Sequence, residues 1–181
     1  MARLPRRFYA RPCLQVAREL LGCYLVHGER GGRIVEVEAY VHEEDLACHA
    51  RAGRTRRTAT LYGPPGHAYV FLVYGMHHCF NVVCEAEGSP AAVLIRALEP
   101  LPPLDGGTDG PGKLCRALAI NRAHDGADLV DGALLSVERR NQKSVRIVAT
   151  PRIGVDYAGA WARKPWRFVD ADSPWLSKKL T

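Results

Sequence analysis

Residues 33–40, RIVEVEAY, alternate with a period of two, which predicts a strand carrying Val35, Val37 and Ala39 on one face and Ile34, Glu36, Glu38 and Tyr40 on the other. By the strand rise, Glu36 and Glu38 stand about 6.6 Å apart, close enough for each to disfavour ionisation of its neighbour and for an arginine to claim one of them. The remaining carboxylate is then available to activate water. The bland alternative is a salt-bridged pair on a solvated face. Tyr40 continues the polar face, and His49 follows a short acidic loop. Beyond it, residues 49–68, HARAGRTRRTATLYGPPGHA, read as loop and hold Arg51, Arg54, Arg56 and Arg57. Arginines for an anionic polymer, an aromatic slot and one carboxylate for water together suggest hydrolysis at a nucleoside.

Two other chemistries are weaker. A metal site would draw on His77, His78, Cys79 and Cys84, but adjacent strand residues point to opposite faces, so both histidines cannot ligate one ion without distortion. A thiol nucleophile such as Cys79 is no more specific, because buried cysteine is common and usually inert.

The remaining elements must position these groups. CLQVARELLG places Cys13, Val16, Ala17 and Leu20 on one helical face between Pro12 and Gly22. Residues 69–83, YVFLVYGMHHCFNVV, are β-branched and aromatic on both sides of Gly75, which predicts a hairpin with Tyr74 and Met76 near its tip. Large side chains at an exposed tip point to a contact role. SPAAVLIRALEPL reads as another buried strand, followed by a Gly, Pro and Asp loop through Gly112, a short helix KLCRALAI and a strand SVRIVAT. The chain closes on a basic aromatic segment with Trp161, Arg163, Lys164, Trp166 and Arg167.

Length and composition agree with one domain over residues 1–181: 47% of the residues are hydrophobic and 24% charged, and there is no repeat or low-complexity tract. The formal charge of +6 favours an anionic partner, nucleic acid, phosphate or membrane surface. Six scattered cysteines without a CxxC read as reduced thiols, and the compartment expected is cytoplasmic. The opening MARLPRRFYARP reads as a basic arm rather than a transit peptide, and no apolar run reaches the length of a membrane span.

The strings EVEAY, HARAG, YVFLVYGMHHCFNVV, VLIRALEPL, GPGKLCRALAIN and WARKPWRF occur in that order, and together the chain resembles the alkyladenine (3-methyladenine) DNA glycosylase family over nearly its whole length. The resemblance implies a mixed α/β (α+β) domain around a curved antiparallel sheet with flanking helices and a hairpin that enters the DNA minor groove. It implies a catalytic Glu38 that deprotonates the water attacking the sugar C1′, with Arg96 beside it and a backbone carbonyl near Ile153 as a further water anchor. Tyr40 and His49 would stack the extruded base, Asn81 would crowd the guanine 2-amino group, and Tyr74 would fill the vacated stack with Met76 as a second contact. Arg54, Arg57 and Lys113 are the expected DNA contacts. No lysine matches a Schiff-base nucleophile, so the enzyme expected leaves an abasic site. Neither cofactor nor metal is implied. Its partner would be double-stranded DNA holding damaged purines, bound by a monomer.

Two departures stand out. Phe71 replaces a pocket tyrosine, keeping the ring and losing a hydroxyl donor, and His77 and His78 replace aromatics after the hairpin tip. Cationic 3-methyladenine and 7-methylguanine need little help to leave, whereas hypoxanthine and ethenoadenine demand more. The rival reading is a noncatalytic nucleic-acid-binding module on the same scaffold, with an RNA-binding domain of similar fold behind it.

Overall fold

A computed structural model describes residues 2–140 and 144–180. Its strands, in chain order, are β1 (Ala2–Arg3), β2 (Tyr24–His27), β3 (Arg30–Val41), β4 (Ala68–Val73), β5 (His77–Val83), β6 (Ala91–Pro100), β7 (Leu135–Arg139), β8 (Ile147–Thr150) and β9 (Arg167–Asp170). All pair antiparallel in the order β1-β7-β2-β3-β6-β5-β4, with β9 added to β3 and β8 to β9. The twelve-residue β3 is the spine. One edge pairs with β6 over most of its length, and β3 also pairs with β2 through residues 30–33 and with β9 through residues 36–38. The sheet curls, and helices α1 (Arg6–Tyr9), α2 (Cys13–Leu20) and α3 (Pro111–Ala117) flank it, so the expected mixed α/β architecture holds.

The apolar pattern explains that packing. Val16, Ala17 and Leu20 of α2 and Leu114 and Cys115 of α3 join Ile34, Val37, Ala39, Val93, Ile95 and Phe80 in the main core, and each fully buried aliphatic side chain contributes about 1.5–3 kcal/mol. All six cysteines are buried thiols, none paired. Among the described residues, no helix is long and apolar enough to cross a membrane.

The structure corrects one expectation about β3. Val35 does not share a face with Val37 and Ala39; Ile34 does, while Val35 packs with Ala97, Val169 and Leu176. Register accounts for the exchange. Ile34 pairs with Leu98, Glu36 with Ala97 and Val37 with Ile95, so Val35 is an extra residue on β3 and Arg96 an extra residue on β6. These paired bulges cancel in register and re-aim Arg96 toward the carboxylate face. That face is not solvated either: Glu36 and Glu38 have no exposed surface.

The predicted hairpin is β4 and β5. Tyr74 (φ 51°) and Gly75 (φ 67°) are its two central turn residues, and Met76 N–H closes the turn on the Val73 carbonyl at 3.1 Å. Positive φ at both positions is the type I′ requirement, satisfied freely by glycine and at a strain of about 1 kcal/mol by tyrosine. Residues 49–68 contain two short 3₁₀ turns, His49–Ala52 and Ala59–Tyr62, that the loop reading omitted.

Candidate active site

The polar face of β3 opens into a cavity of about 630 Å³, lined by residues from β4, β5 and β6, the His49–Ala52 turn and the segment after β8. Beneath its floor the two carboxylates have unlike surroundings. Glu36 Oε1 accepts from Arg167 Nε at 2.7 Å, Arg96 Nε at 3.1 Å and Ser177 Oγ at 2.7 Å, and its Oε2 accepts from Ser177 N–H at 2.6 Å. Every oxygen of Glu36 is therefore engaged by C-terminal residues and arginine. Glu38 Oε1 accepts from Ile153 N–H at 2.7 Å, and its Oε2 from Tyr40 Oη at 2.7 Å and from Arg96 Nη1 at 3.4 Å. Tyr40, Arg96 and Ile153, its three partners, line the cavity directly. Here Ile153 offers its N–H to the carboxylate, whereas the resemblance drew attention to its carbonyl.

Burial and then the Glu38 carboxylate push the Tyr40 phenol well above its ordinary value, so it donates as a neutral hydroxyl. Burial would discharge Arg96, but Glu38 and Glu36 outweigh it and raise the guanidinium further.

The cavity wall is aromatic. His49 lies 4.4 Å from Phe71 between ring centroids at 64°, Tyr69 lies 5.3 Å from Phe71, and His49 Nδ1 shares a hydrogen bond of 2.9 Å with Tyr69 Oη. Burial, then Arg57 and Arg51, lower the His49 pKa to about 4, so the ring is neutral at physiological pH. Asn81, buried, donates its amide to the Tyr69 carbonyl at 3.1 Å. Cys48 and Cys79 also line the cavity, but burial raises their thiols to about 12 and about 11, against a nucleophilic role.

Tyr74 is 88% exposed and Met76 70%, with Tyr74 at the cavity rim. Arg57 lines the cavity with Cζ 5.9 Å from the Phe71 centroid. Arg54 is exposed outside it, and Lys113 is exposed and pairs with Asp109 at 3.1 Å. His77 is exposed and His78 half-buried on β5, and among the described residues no three ligating side chains cluster for a metal.

Sequence reasoning missed five contributing residues. Tyr69 was legible, since it shares a strand face with Phe71 two residues on. Ser177 and Arg167 enter only through the fold. The other two form a fully buried ion pair: Arg152 donates to Asp45 Oδ2 at 2.6 Å and Oδ1 at 2.8 Å, and its Cζ lies 4.7 Å over the Tyr40 ring.

The chain that builds this site matches the model of one family, methylpurine-DNA glycosylase, over residues 7–174. Among curated relatives, a Myxococcus xanthus protein is 54% identical over 97% of this chain and 93% of its own length. A Legionella pneumophila protein is 48% identical over 98% and 100%, and a Methanocella arvoryzae protein 50% identical over 97% and 96%. Each bears the name "Putative 3-methyladenine DNA glycosylase". The chain belongs to the methylpurine-DNA glycosylase family. It is a DNA N-glycosylase, a hydrolase of the repair of alkylated bases.

Proposed function

We propose that the protein is a monofunctional glycosylase that extrudes alkylated purines, 3-methyladenine and 7-methylguanine foremost, from duplex DNA and hydrolyses the N-glycosidic bond with a Glu38-activated water. The observation that carries this reading is the unequal coordination of the two carboxylates. A carboxylate offers about four lone-pair sites. Glu36 receives four donors, whereas Glu38 receives three at the cavity floor, which leaves it room for a water.

In this mechanism Glu38 takes a proton from the water as its oxygen bonds to C1′, and the C1′–N bond breaks with its electron pair leaving on the purine. The developing oxocarbenium charge is stabilised by the same carboxylate, which Arg96 and Ile153 hold in place. Tyr40 and the neutral His49 ring stack the extruded base, and cation–π attraction favours alkylated, positively charged purines. Asn81, fixed through Tyr69, crowds the 2-amino group of ordinary guanine. Tyr74 fills the vacated stack, where an aromatic contact is worth roughly 1–3 kcal/mol, and Met76 touches neighbouring base pairs. Arg54 and Lys113 bind backbone phosphates. Among the described residues lining the cavity none is lysine, which supports hydrolysis over Schiff-base chemistry. The working unit is a monomer on double-stranded DNA.

End-labelled duplexes carrying one 7-methylguanine, hypoxanthine or ethenoadenine, treated with the wild type and with Glu38→Gln, test this reading. Strand cleavage that requires both Glu38 and subsequent alkali is the expected result. Tight DNA binding with no excision of any lesion would favour the noncatalytic binding module instead.

A further inference from the structure

The polar side chains that line the cavity are nearly all committed to one another. Tyr40 donates to Glu38, Arg96 is held by Glu36 and Glu38, Asn81 donates to the Tyr69 carbonyl, and Tyr69 is engaged by His49. Arg57 differs. It lines the same cavity, sits over Phe71 and makes no ion pair among the described residues, whereas Arg96, Arg152 and Arg167 around the site are each tied to a carboxylate. Phe71 itself brings no hydroxyl to that wall, so the guanidinium supplies the donors there.

We propose that Arg57 is a specificity-determining residue of this glycosylase, a donor to the acceptor edge of the extruded base that favours neutral, oxygen-bearing purines such as hypoxanthine over cationic alkylpurines. The proposal rests on the glycosylase reading above and concerns which lesions the same cavity takes. When the C1′–N9 bond breaks, its electron pair stays on the departing base. A cationic 7-methylguanine thereby becomes neutral, whereas neutral hypoxanthine becomes an anion whose charge spreads to its ring nitrogens and exocyclic oxygen. Measured from free enzyme and free DNA, a fixed positive donor at the base edge stabilises hypoxanthine as it departs with negative charge, whereas 7-methylguanine departs neutral and gains no such stabilisation. Arg57 acts by charge and through the planar fork of donors that a guanidinium carries. The charge already reaches the base-stacking wall, since Arg57 is among the causes that hold His49 neutral. It also repels a base that arrives positively charged, so one residue shifts selectivity in both directions.

Single-turnover excision with enzyme in excess of DNA but well below saturation, which reads kcat/KM, tests this on matched duplexes containing hypoxanthine or 7-methylguanine, comparing wild type, Arg57→Met and Arg57→Lys. Arg57 is exposed, so these variants leave the core intact. The Met variant is expected to lose ~10- to 100-fold on hypoxanthine, the usual range for a hydrogen bond to a charged group, with 7-methylguanine excision unchanged or faster. The Lys variant recovers part of the hypoxanthine rate. The salt dependence of binding to undamaged duplex is expected to be the same for all three proteins. Equal loss on both lesions, with a salt slope reduced by about one, would make Arg57 a phosphate contact and overturn the proposal. Unchanged rates on both lesions, or a wild type that excises 7-methylguanine alone, would also overturn it while leaving the glycosylase reading intact. A wild type inactive on both lesions would overturn that reading too.

Discussion

The backbone N–H of Ile153 donates to Glu38 Oε1 at 2.7 Å, joining positions 115 residues apart. Its placement depends on the preceding residue, for Arg152 is clamped by Asp45 in a bidentate pair with no exposed surface on either side chain. Asp45 also accepts from the N–H groups of Val41 and Ala47, and Arg152 donates to the Ala39 carbonyl at 2.9 Å while underlying Tyr40. One ion pair thus fixes two of the groups that hold Glu38.

Asp45→Asn is expected to destabilise the fold by about 3–5 kcal/mol, because it strips the buried guanidinium of its countercharge. Below the melting range it should lower kcat at least tenfold, with KM changed less than threefold. Urea unfolding and steady-state excision measure the two effects separately. An unaltered kcat in the folded variant would reduce the pair to a purely structural role.

Glu36 and Glu38 should separate by the same measurements. Glu36→Gln weakens an acceptor of four donors, two of them arginines, and is expected to lower stability by about 3 kcal/mol while excision survives at low temperature. Glu38→Gln should abolish excision with a much smaller change in melting temperature. The opposite pattern would exchange their roles.

At the hairpin tip, stability and function are expected to move in opposite directions. Tyr74 holds a left-handed backbone, φ 51°, with its side chain in solvent, so it carries strain without packing to offset it. Tyr74→Asn puts a residue that tolerates this conformation in its place and should raise stability by about 0.5–1 kcal/mol, or roughly 1–4 °C in Tm. The same change should erase most of the preference for lesion-containing over undamaged duplex in equilibrium binding. If the preference survives, Tyr74 is not the wedge.

Much of this site was legible because its parts are local. The Glu38 and Tyr40 alternation, the Gly75 turn and the 69–83 hairpin all follow from periods of two and turn chemistry within a few residues. Val35 escaped because compensating bulges on β3 and β6 reverse its face, and no property of VEVEAY announces a bulge whose partner lies 61 positions on at Arg96. Asp45 and Arg152 escaped for a related reason. Each sits in a polar, irregular stretch, and only the fold brings the two side chains together. Strands β2, β7 and β9 are four or five residues long, too short for periodicity alone to separate them from loop.

Acid should destabilise the protein in a window set by His49. Its folded pKa lies near 4 against an ordinary 6.5, chiefly through burial and then through Arg57 and Arg51. Between those values the unfolded chain binds a proton that the folded chain refuses, so stability falls as pH drops from 6.5 toward 4 and the contribution levels off below. The loss is on the order of 2 kcal/mol for a shift of this size in a ring that retains some solvent contact. Urea unfolding at a series of pH values should show this slope in the wild type and a flatter profile in His49→Phe. Because the ring stays neutral above pH 5, stacking on a cationic base should show no titration between pH 5 and 8. A step near pH 6.5 in lesion binding that disappears in His49→Phe would mean that His49 is protonated in the complex, and the neutral stacking wall would then be wrong.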